Sequence, residues 1–416
     1  MLNSIKLPNR WRVVKFKDIA KEMYYGLTAK AVNKKTSLRM LRTTDIKDYR
    51  VNWDALPYAV ITEKSRKNIS RYLLRKNDLI ISRAGTAGVA VLVPRDFNDV
   101  IFGSYLIKVR LDENLVDPLY VYYYCQSNLY WNQIRSGQAG STLKNINLRI
   151  LNNILIPLPP LDEQRKIARI LCTVDEAIAK TDTIISRVEE LRRALLDYLM
   201  THGIGHKEYK ETEIGKIPKE WKVVKNGDVA KIDTKSIRPK AGEKYYYIGL
   251  EDIESQTGRI LKNENELVDG SQIKSTKYVF SKEHVLYGRL RPYLNKVALP
   301  IRDGICSTDI LPILPNKNLI LREYLAYLMR HPRFVEWATS RMKGTNHPRI
   351  SSRDILEYRI SLPPIDEQKK IVEIISSVET LRDIELQKKE QLTALKSQLI
   401  NLLLTDKVRA KDLPID

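Results

Sequence analysis

The stretch PLPPLDEQRKIARIL at Pro157–Leu171 is written a second time, nearly unchanged, as SLPPIDEQKKIVEII at Ser361–Ile375. Asp162-Glu163-Gln164 answers to Asp366-Glu367-Gln368, an offset of 204 residues. A period of that size is far too long for a solenoid unit and has the length of a domain, so the chain reads as a duplicated pair. The duplication extends well beyond the motif. LPNRWRVVKFKDIAK (7–21) matches IPKEWKVVKNGDVAK (217–231), with Trp11 falling on Trp221. GSTLKNINLRILNNILIPLPPLDEQ faces GTNHPRISSRDILEYRISLPPIDEQ without a gap. The middles diverge: LIISRAGTAGVAVLV and VLYGRLRPYLNKVAL share strand-like apolar character and an arginine (Arg83, Arg289), and little else. Ends kept and middles changed describe two similar scaffolds with different reading surfaces.

Each repeat has two parts. Residues 1–157 and 212–361 mix short Val/Ile/Tyr-rich runs with Gly, Pro and Asn punctuation, the pattern of strands joined by turns, with helices near 118–128 and 321–331. An α+β domain follows. Pro159-Pro160 and Pro363-Pro364 end the last strand, and Asp162 is positioned as the N-cap of what comes next, with Glu163 in the positive first turn. Residues 162–200 and 366–405 contain neither Gly nor Pro and predict long helices. Apolar residues step by four and three through Ile167, Leu171, Val174, Ile178, Ile185, Val188, Leu195 and Leu199, interrupted at Thr181 and Arg192. The second helix repeats this through Ile371, Ile374, Val378, Leu381, Leu392, Leu395, Leu399 and Leu402, with a polar break near Lys388. Such spacing predicts a coiled coil, and a helix of about 40 residues spans roughly 60 Å, longer than a domain of this size is wide. The expected architecture is therefore α+β: two duplicated α/β domains separated by two long antiparallel coiled-coil helices, with approximate twofold symmetry. The expected boundaries are 1–157, 158–203, 204–361 and 362–416.

In 416 residues, 71 Lys and Arg stand against 50 Asp and Glu, a formal charge of +21 that calls for a polyanionic partner, nucleic acid before membrane. No apolar run is long enough to span a bilayer, and the opening MLNSIKLPNRW lacks the apolar core of a signal peptide, so the cytoplasm is expected. Cys125, Cys172 and Cys306 are dispersed in apolar contexts and read as buried thiols, not disulfides or a zinc cluster. Catalytic parts do not emerge. An Asn/Asp-Pro-Pro-aromatic tetrapeptide for a flipped adenine is missing, GTAG (85–88) is not a dinucleotide fingerprint, and no phosphate loop ends in GKT or GKS. His202 and His206 stand four apart, but Gly203 and Gly205 make that segment a hinge instead of a metal-binding helix. The loops, by contrast, carry side chains suited to base edges and phosphates. In the first repeat these are Lys30, Lys34, Lys35, Arg83, Thr86, Gln138, Lys144 and Asn145; in the second, Lys235, Arg238, Arg289, Arg291, Lys343, Asn346 and Arg349.

IPLPPLDEQRKIARIL and ISLPPIDEQKKIVEII, each closing a variable domain and opening a long helix, resemble the specificity subunit of type I restriction–modification enzymes. The resemblance covers the whole chain. It implies two target-recognition domains, each reading one half of a split duplex DNA sequence in the major groove. The helices would serve as a ruler for the gap, with Ile167, Leu171, Ile178, Ile185, Leu195, Ile371, Val378, Leu392 and Leu399 on the spacer and partner-docking faces. It further implies two methyltransferase subunits that bind S-adenosylmethionine, and a restriction subunit that uses ATP and Mg; the chain itself would hold no cofactor, metal or catalytic residue. Competing readings are a stand-alone methyltransferase or nuclease, and an RNA-binding or scaffolding rod. Binding of S-adenosylmethionine by the isolated chain, or preference for single-stranded RNA over duplex DNA at stated salt, separates them.

Overall fold

The computed structural model describes residues 10–138 and 145–405, without the side chains of Lys64 and Ser65. The chain divides into two compact units, residues 1–183 with 387–416, and residues 184–386.

In the first unit, strands β1 (Arg12–Lys15), β2 (Ala20–Tyr25), β3 (Lys30–Val32), β4 (Arg39–Leu41) and β5 (Tyr58–Val60) come first. Then follow β6 (Asp78–Ser82), β7 (Ala90–Leu92), β8 (Val100–Phe102) and β9 (Leu106–Leu111). Helices α1 (Pro118–Tyr124), α2 (Asn128–Gly137) and α3 (Leu148–Asn152), strand β10 (Leu155–Leu158) and the long helix α4 (Leu161–His202) complete the order. One sheet runs β2-β9-β6-β7, all antiparallel; a second runs β8-β4-β5-β3, with β8 and β4 parallel. The run DLIIS of β6 is buried throughout, as a strand covered on both faces must be. The expected helix over 118–128 is two helices. Asp117 caps the first, accepting from the N–H groups of Leu119 and Tyr120 at 3.0 Å, and Ser127 caps the next by accepting from Tyr130 at 3.2 Å.

The second unit holds β11 (Lys222–Lys225), β12 (Ala230–Ile232), β13 (Ser236–Ile237), β14 (Tyr247–Ile248) and β15 (Lys277–Phe280). Next come β16 (Val285–Gly288), β17 (Val297–Ala298), β18 (Gly304–Cys306) and β19 (Ile310–Pro315). Helices α5 (Arg322–Arg330), α6 (Pro332–Ser340) and α7 (Ser352–Glu357), strand β20 (Arg359–Leu362) and helix α8 (Ile365–Leu403) follow. Its first sheet, β12-β19-β16-β17, reproduces that of the first unit strand for strand. Its second, β14-β18-β15-β13, keeps the parallel pair but attaches the remaining strands to the other member of it.

The repeated DEQ forms the same joint in each unit. Gln164 is 1% exposed: its Oε1 accepts from the Asp117 N–H at 2.9 Å, and its Nε2 donates to the carbonyls of Pro159 at 2.8 Å and Leu115 at 3.3 Å. Gln368 does the same with the Leu321 N–H at 2.9 Å and the carbonyls of Pro363 at 2.9 Å and Leu319 at 3.0 Å. A buried primary amide satisfied on both sides fixes the start of the helix against the globular part. The Glu before it accepts from an indole N–H: Trp11 to Glu163 at 3.3 Å, Trp221 to Glu367 at 2.9 Å. The Asp is exposed and caps nothing. Helix α4 starts at Leu161, two residues earlier than the N-cap expectation for Asp162 requires, because the Pro160 carbonyl already accepts from the Gln164 N–H at 3.0 Å.

The phase of the expected coiled-coil stripe needs correction. Ile374, Leu381 and Leu395 are 37%, 43% and 43% exposed, whereas Ile375 and Arg382 beside them are buried and Lys396 is nearly so. Thr181 and Arg192, which interrupt the apolar pattern, are themselves buried at 1% and 6%. The packing face therefore runs through polar residues, and an apolar stripe drawn without them slides one position. Ile167, Leu171, Ile178 and Ile371 are buried as expected, and Ile185, Leu195, Val378, Leu392 and Leu399 are half-buried. Cys125 and Cys306 are buried free thiols, but Cys172 is only partly covered.

Within each unit the two long helices meet antiparallel. In the first, Lys396 pairs with Asp175 at 2.8 Å and Lys389 with Asp182 at 2.7 Å; in the second, Arg382 pairs with Glu189 at 3.4 Å and Arg192 with Glu379 at 3.8 Å. The numbers of each pair add to 571, so one register serves both units.

Candidate nucleic-acid interface

Arg83 directly follows β6 and Arg289 directly follows β16, equivalent strands of the conserved sheet. Each donates its N–H across the sheet, Arg83 to the Tyr105 carbonyl at 2.9 Å and Arg289 to that of Asp309 at 2.8 Å. Each carbonyl accepts from an isoleucine in the loop before the last short helix, Ile146 at 2.8 Å and Ile350 at 3.1 Å. The arginine thus ties a strand turn to a second loop, and the two form one surface.

In the first unit this gathers Arg83, Thr86 and Asn145. The Arg83 guanidinium lies 4.4 Å over the Tyr25 ring, a cation–π contact, and its buried Nε has no hydrogen-bond partner among the described residues. Gly88, at φ 106°, packs its Cα against Trp131 and Ile146; a Cβ there would meet the indole at 3.0 Å. Gln138 ends α2 with its side-chain amide Nε2 buried and without a partner among the described residues. Lys144 lies outside the described residues.

In the second unit the cluster is denser. Arg291 adopts φ 50° and donates its N–H to the Pro348 carbonyl at 2.8 Å, while Lys343 and Arg349 exchange backbone bonds at 2.9 Å that close the loop carrying Asn346. Arg289, Arg291, Lys343, Asn346 and Arg349 therefore share one surface. Arg349 is held by Asp309 through two bonds of 2.6 and 3.1 Å, and that carboxylate raises its pKa. Arg291, Lys343 and Asn346 are exposed, and present donors outward.

The remaining basic residues lie elsewhere, at matching places. Lys30, in β3, and Lys34 and Lys35, just after it, mark the edge strand of the second sheet; Lys235 and Arg238 flank β13, the edge strand of the other second sheet. Two exposed aromatics escaped the reading of residues: Tyr105, 63% exposed, whose carbonyl holds Arg83, and Tyr293, 46% exposed, beside Arg291. The available signal was an aromatic directly after Gly-Ser or Pro in a turn.

The long helices offer a second surface. In the second unit Ile184, Leu191 and Tyr198 recur every seven residues on α4, and the register places Leu191 beside Leu381 and Tyr198 beside Ile374 on α8. These side chains form an uncovered apolar seam along the helix pair. Among the described residues no group of His, Cys, Asp or Glu is placed to hold a metal ion; His206 instead pairs with Glu367 at 2.8 Å. No described helix is long and apolar enough to cross a membrane.

A twice-built α+β reader, each copy closed by the same joint onto a helix of the same antiparallel pair, defines a duplicated recognition protein. The sequence matches the family described as the type I restriction modification DNA specificity domain over residues 8–190 and again over 218–394. The type I restriction enzyme MjaVIII specificity subunit of Methanocaldococcus jannaschii is 26% identical, covering 99% of this chain and 96% of its own. The putative MjaX specificity subunit of the same organism is 27% identical over 98% and 95% of the two chains. The fold is shared with a type I restriction–modification S subunit from M. genitalium at a TM-score of 0.58, with 15% identity, over 96% of this chain and 98% of that one. A chain from a study of complex assembly in the type I system gives 0.60, with 18% identity, over 96% and 98%. The chain belongs to the type I restriction–modification DNA specificity family and carries its domain twice.

Proposed function

We propose that this specificity subunit reads a bipartite, asymmetric sequence in duplex DNA, one half with each unit, and that α4 and α8 set the number of base pairs between the halves. The observation that carries the reading is the pairing of an identical first sheet and joint with a differently wired second sheet. A shared scaffold places two readers alike, and unlike surfaces make them read unlike sequences. Arg83, Thr86 and Asn145 serve one half-site; Arg289, Arg291, Lys343 and Asn346 serve the other, where guanidinium and amide groups match guanine and adenine edges in the major groove. The lysines at the second-sheet edges hold phosphates and set affinity, not sequence.

Chemistry belongs to the partners. Two methyltransferase subunits dock on the helices, with the seam of Leu191, Tyr198, Ile374 and Leu381 as one contact surface, and bring S-adenosylmethionine to the adenines. Restriction subunits, where present, bring ATP and Mg. The assembly works in the cytoplasm.

Co-expression with a partner methyltransferase and mapping of methylated adenines tests this. The expected result is one split motif with two different halves and a constant gap, the half-sites about one turn or roughly 34 Å apart. A contiguous or palindromic motif, or methylation by the chain alone, would contradict it.

A further inference from the structure

One arrangement of three side chains occurs twice, with the helices exchanging roles. In the first unit the Tyr123 hydroxyl donates to Asp175 Oδ2 at 2.9 Å, and Lys396 approaches Oδ1 of the same carboxylate at 2.8 Å. In the second the Tyr327 hydroxyl donates to Glu379 Oε2 at 2.9 Å, and Arg192 faces Oε1 at 3.8 Å. Tyr123 and Tyr327, Asp175 and Glu379, and Arg192 and Lys396 are each separated by the repeat offset of 204. The carboxylate sits on α4 in one unit and on α8 in the other, and the cation always comes from the opposite helix. A further arginine reinforces each node from a different place in its reader, Arg50 at 3.4 Å from Asp175 and Arg330 at 3.6 Å from Glu379. Both tyrosines are buried, on helices packed in the reader core.

In each node the reader's tyrosine hydroxyl therefore takes one carboxylate oxygen, while the opposite helix's cation and the reader's arginine share the other. Apolar side chains alone tolerate a slide of one heptad, because they are non-directional and the pattern repeats. A slide at these nodes would leave a covered carboxylate and a covered cation unpaired, a penalty that specifies register. From this geometry, resting on the ruler reading above, we infer that Tyr123–Asp175–Lys396 and Tyr327–Glu379–Arg192 are positioning residues. They lock each reader to its place on the helix pair and thereby hold the gap to a single length.

The test uses the full chain co-expressed with its methyltransferase partner and reads methylation at targets whose gap is one base pair longer or shorter. Asp175→Asn with Glu379→Gln should leave both half-sites unchanged and raise off-gap methylation at least tenfold relative to the cognate gap. Tyr123→Phe with Tyr327→Phe cuts only the hydroxyl bond of each node, keeps the side-chain shape, and decides the matter if the first pair does not fold. Arg192→Lys should retain the single gap, since lysine fills that role in the other node. Ile313→Val, at a fully buried position in β19 and outside both long helices, should lower the melting temperature without moving the gap. An unchanged gap in both the carboxylate and tyrosine pairs would overturn the inference. Deleting residues 177–183 and 388–394, one heptad from each helix between the nodes, tests the ruler itself. If that deletion shifts the gap and the node variants do not, only the positioning role falls; if it leaves the gap unchanged, both fall.

Discussion

The first sheets of the two units share one strand order, and the second sheets do not. In the first unit the extra strands, β5 and β3, attach to β4; in the second, β15 and β13 attach to β18, the other member of the conserved parallel pair. The difference separates two tasks. The first sheet carries the arginine turn, and the separate pairs β1–β10 and β11–β20 lead into the helix joint; these must present a reader to its helix in the same way. The second sheet packs on the first but supplies no hydrogen bond to the joint glutamine or glutamate, so its outer strands are free to be rebuilt. Divergence is thus concentrated where it changes the surface without disturbing the mount.

The joint gives the largest expected effect. Gln164→Ala and Gln368→Ala each strand a buried N–H and two carbonyls, and each should destabilise its own unit by about 2–4 kcal/mol. Hydrogen exchange resolved by unit would measure this, and values differing by more than about 2 kcal/mol would break the claim that the joint is one device used twice. The reader turns come next. Arg291→Ala should relax recognition at a base of one half-site and cost about 1–3 kcal/mol there, leaving the other half-site untouched; Arg83→Ala should do the reverse. Binding to duplexes varied one base pair at a time would show it, and a loss shared by both half-sites would contradict the division of labour.

A pH effect sharpens the comparison from the side of the second unit. His331 is buried; its Nδ1 accepts from the Arg333 N–H at 3.3 Å and its Nε2 faces Asp197 at 3.2 Å, so the neutral ring fits the site. Burial lowers its pKa below the ordinary 6.5, with Arg333 adding to the effect and Asp197 opposing it. The unfolded chain then takes up the proton first, so this stability is present above pH 6.5 and is lost as pH falls below it. Thermal melts between pH 7.5 and 5.5 should show a smaller acid loss in His331→Asn, confined to the second unit; an identical loss in both proteins would remove the assignment. The smallest effect belongs to the sheet edge. Lys35→Ala should weaken binding to all sequences alike and reduce the slope of log K against log salt by about one.

Much of this was legible in the sequence because the same physics is written twice. A buried glutamine, an indole facing a glutamate and a proline pair recur at a fixed spacing, and the spacing gives the duplication, the joint and the helices. The phase of the helix pair was not legible, because Arg192, Arg382 and Lys396 occupy packing positions where an apolar pattern leaves a blank. The wiring of the second sheets was hidden for another reason. Strands such as Ser236–Ile237 and Tyr247–Ile248 are two residues long and carry no periodicity, and their partners lie far along the chain. Among the candidate contacts, Arg83 and Arg289 were found by their shared position after a strand. Tyr105 and Tyr293 were missed, since an aromatic among so many buried tyrosines does not announce its exposure.

The most direct test of the account is to replace residues 22–150 with the corresponding reader of another family member, leaving the joint and both helices in place, and to map the methylated targets of the assembled enzyme. One half-site should change, with the other half-site and the gap retained. A change in both half-sites would contradict two independent readers on a common mount.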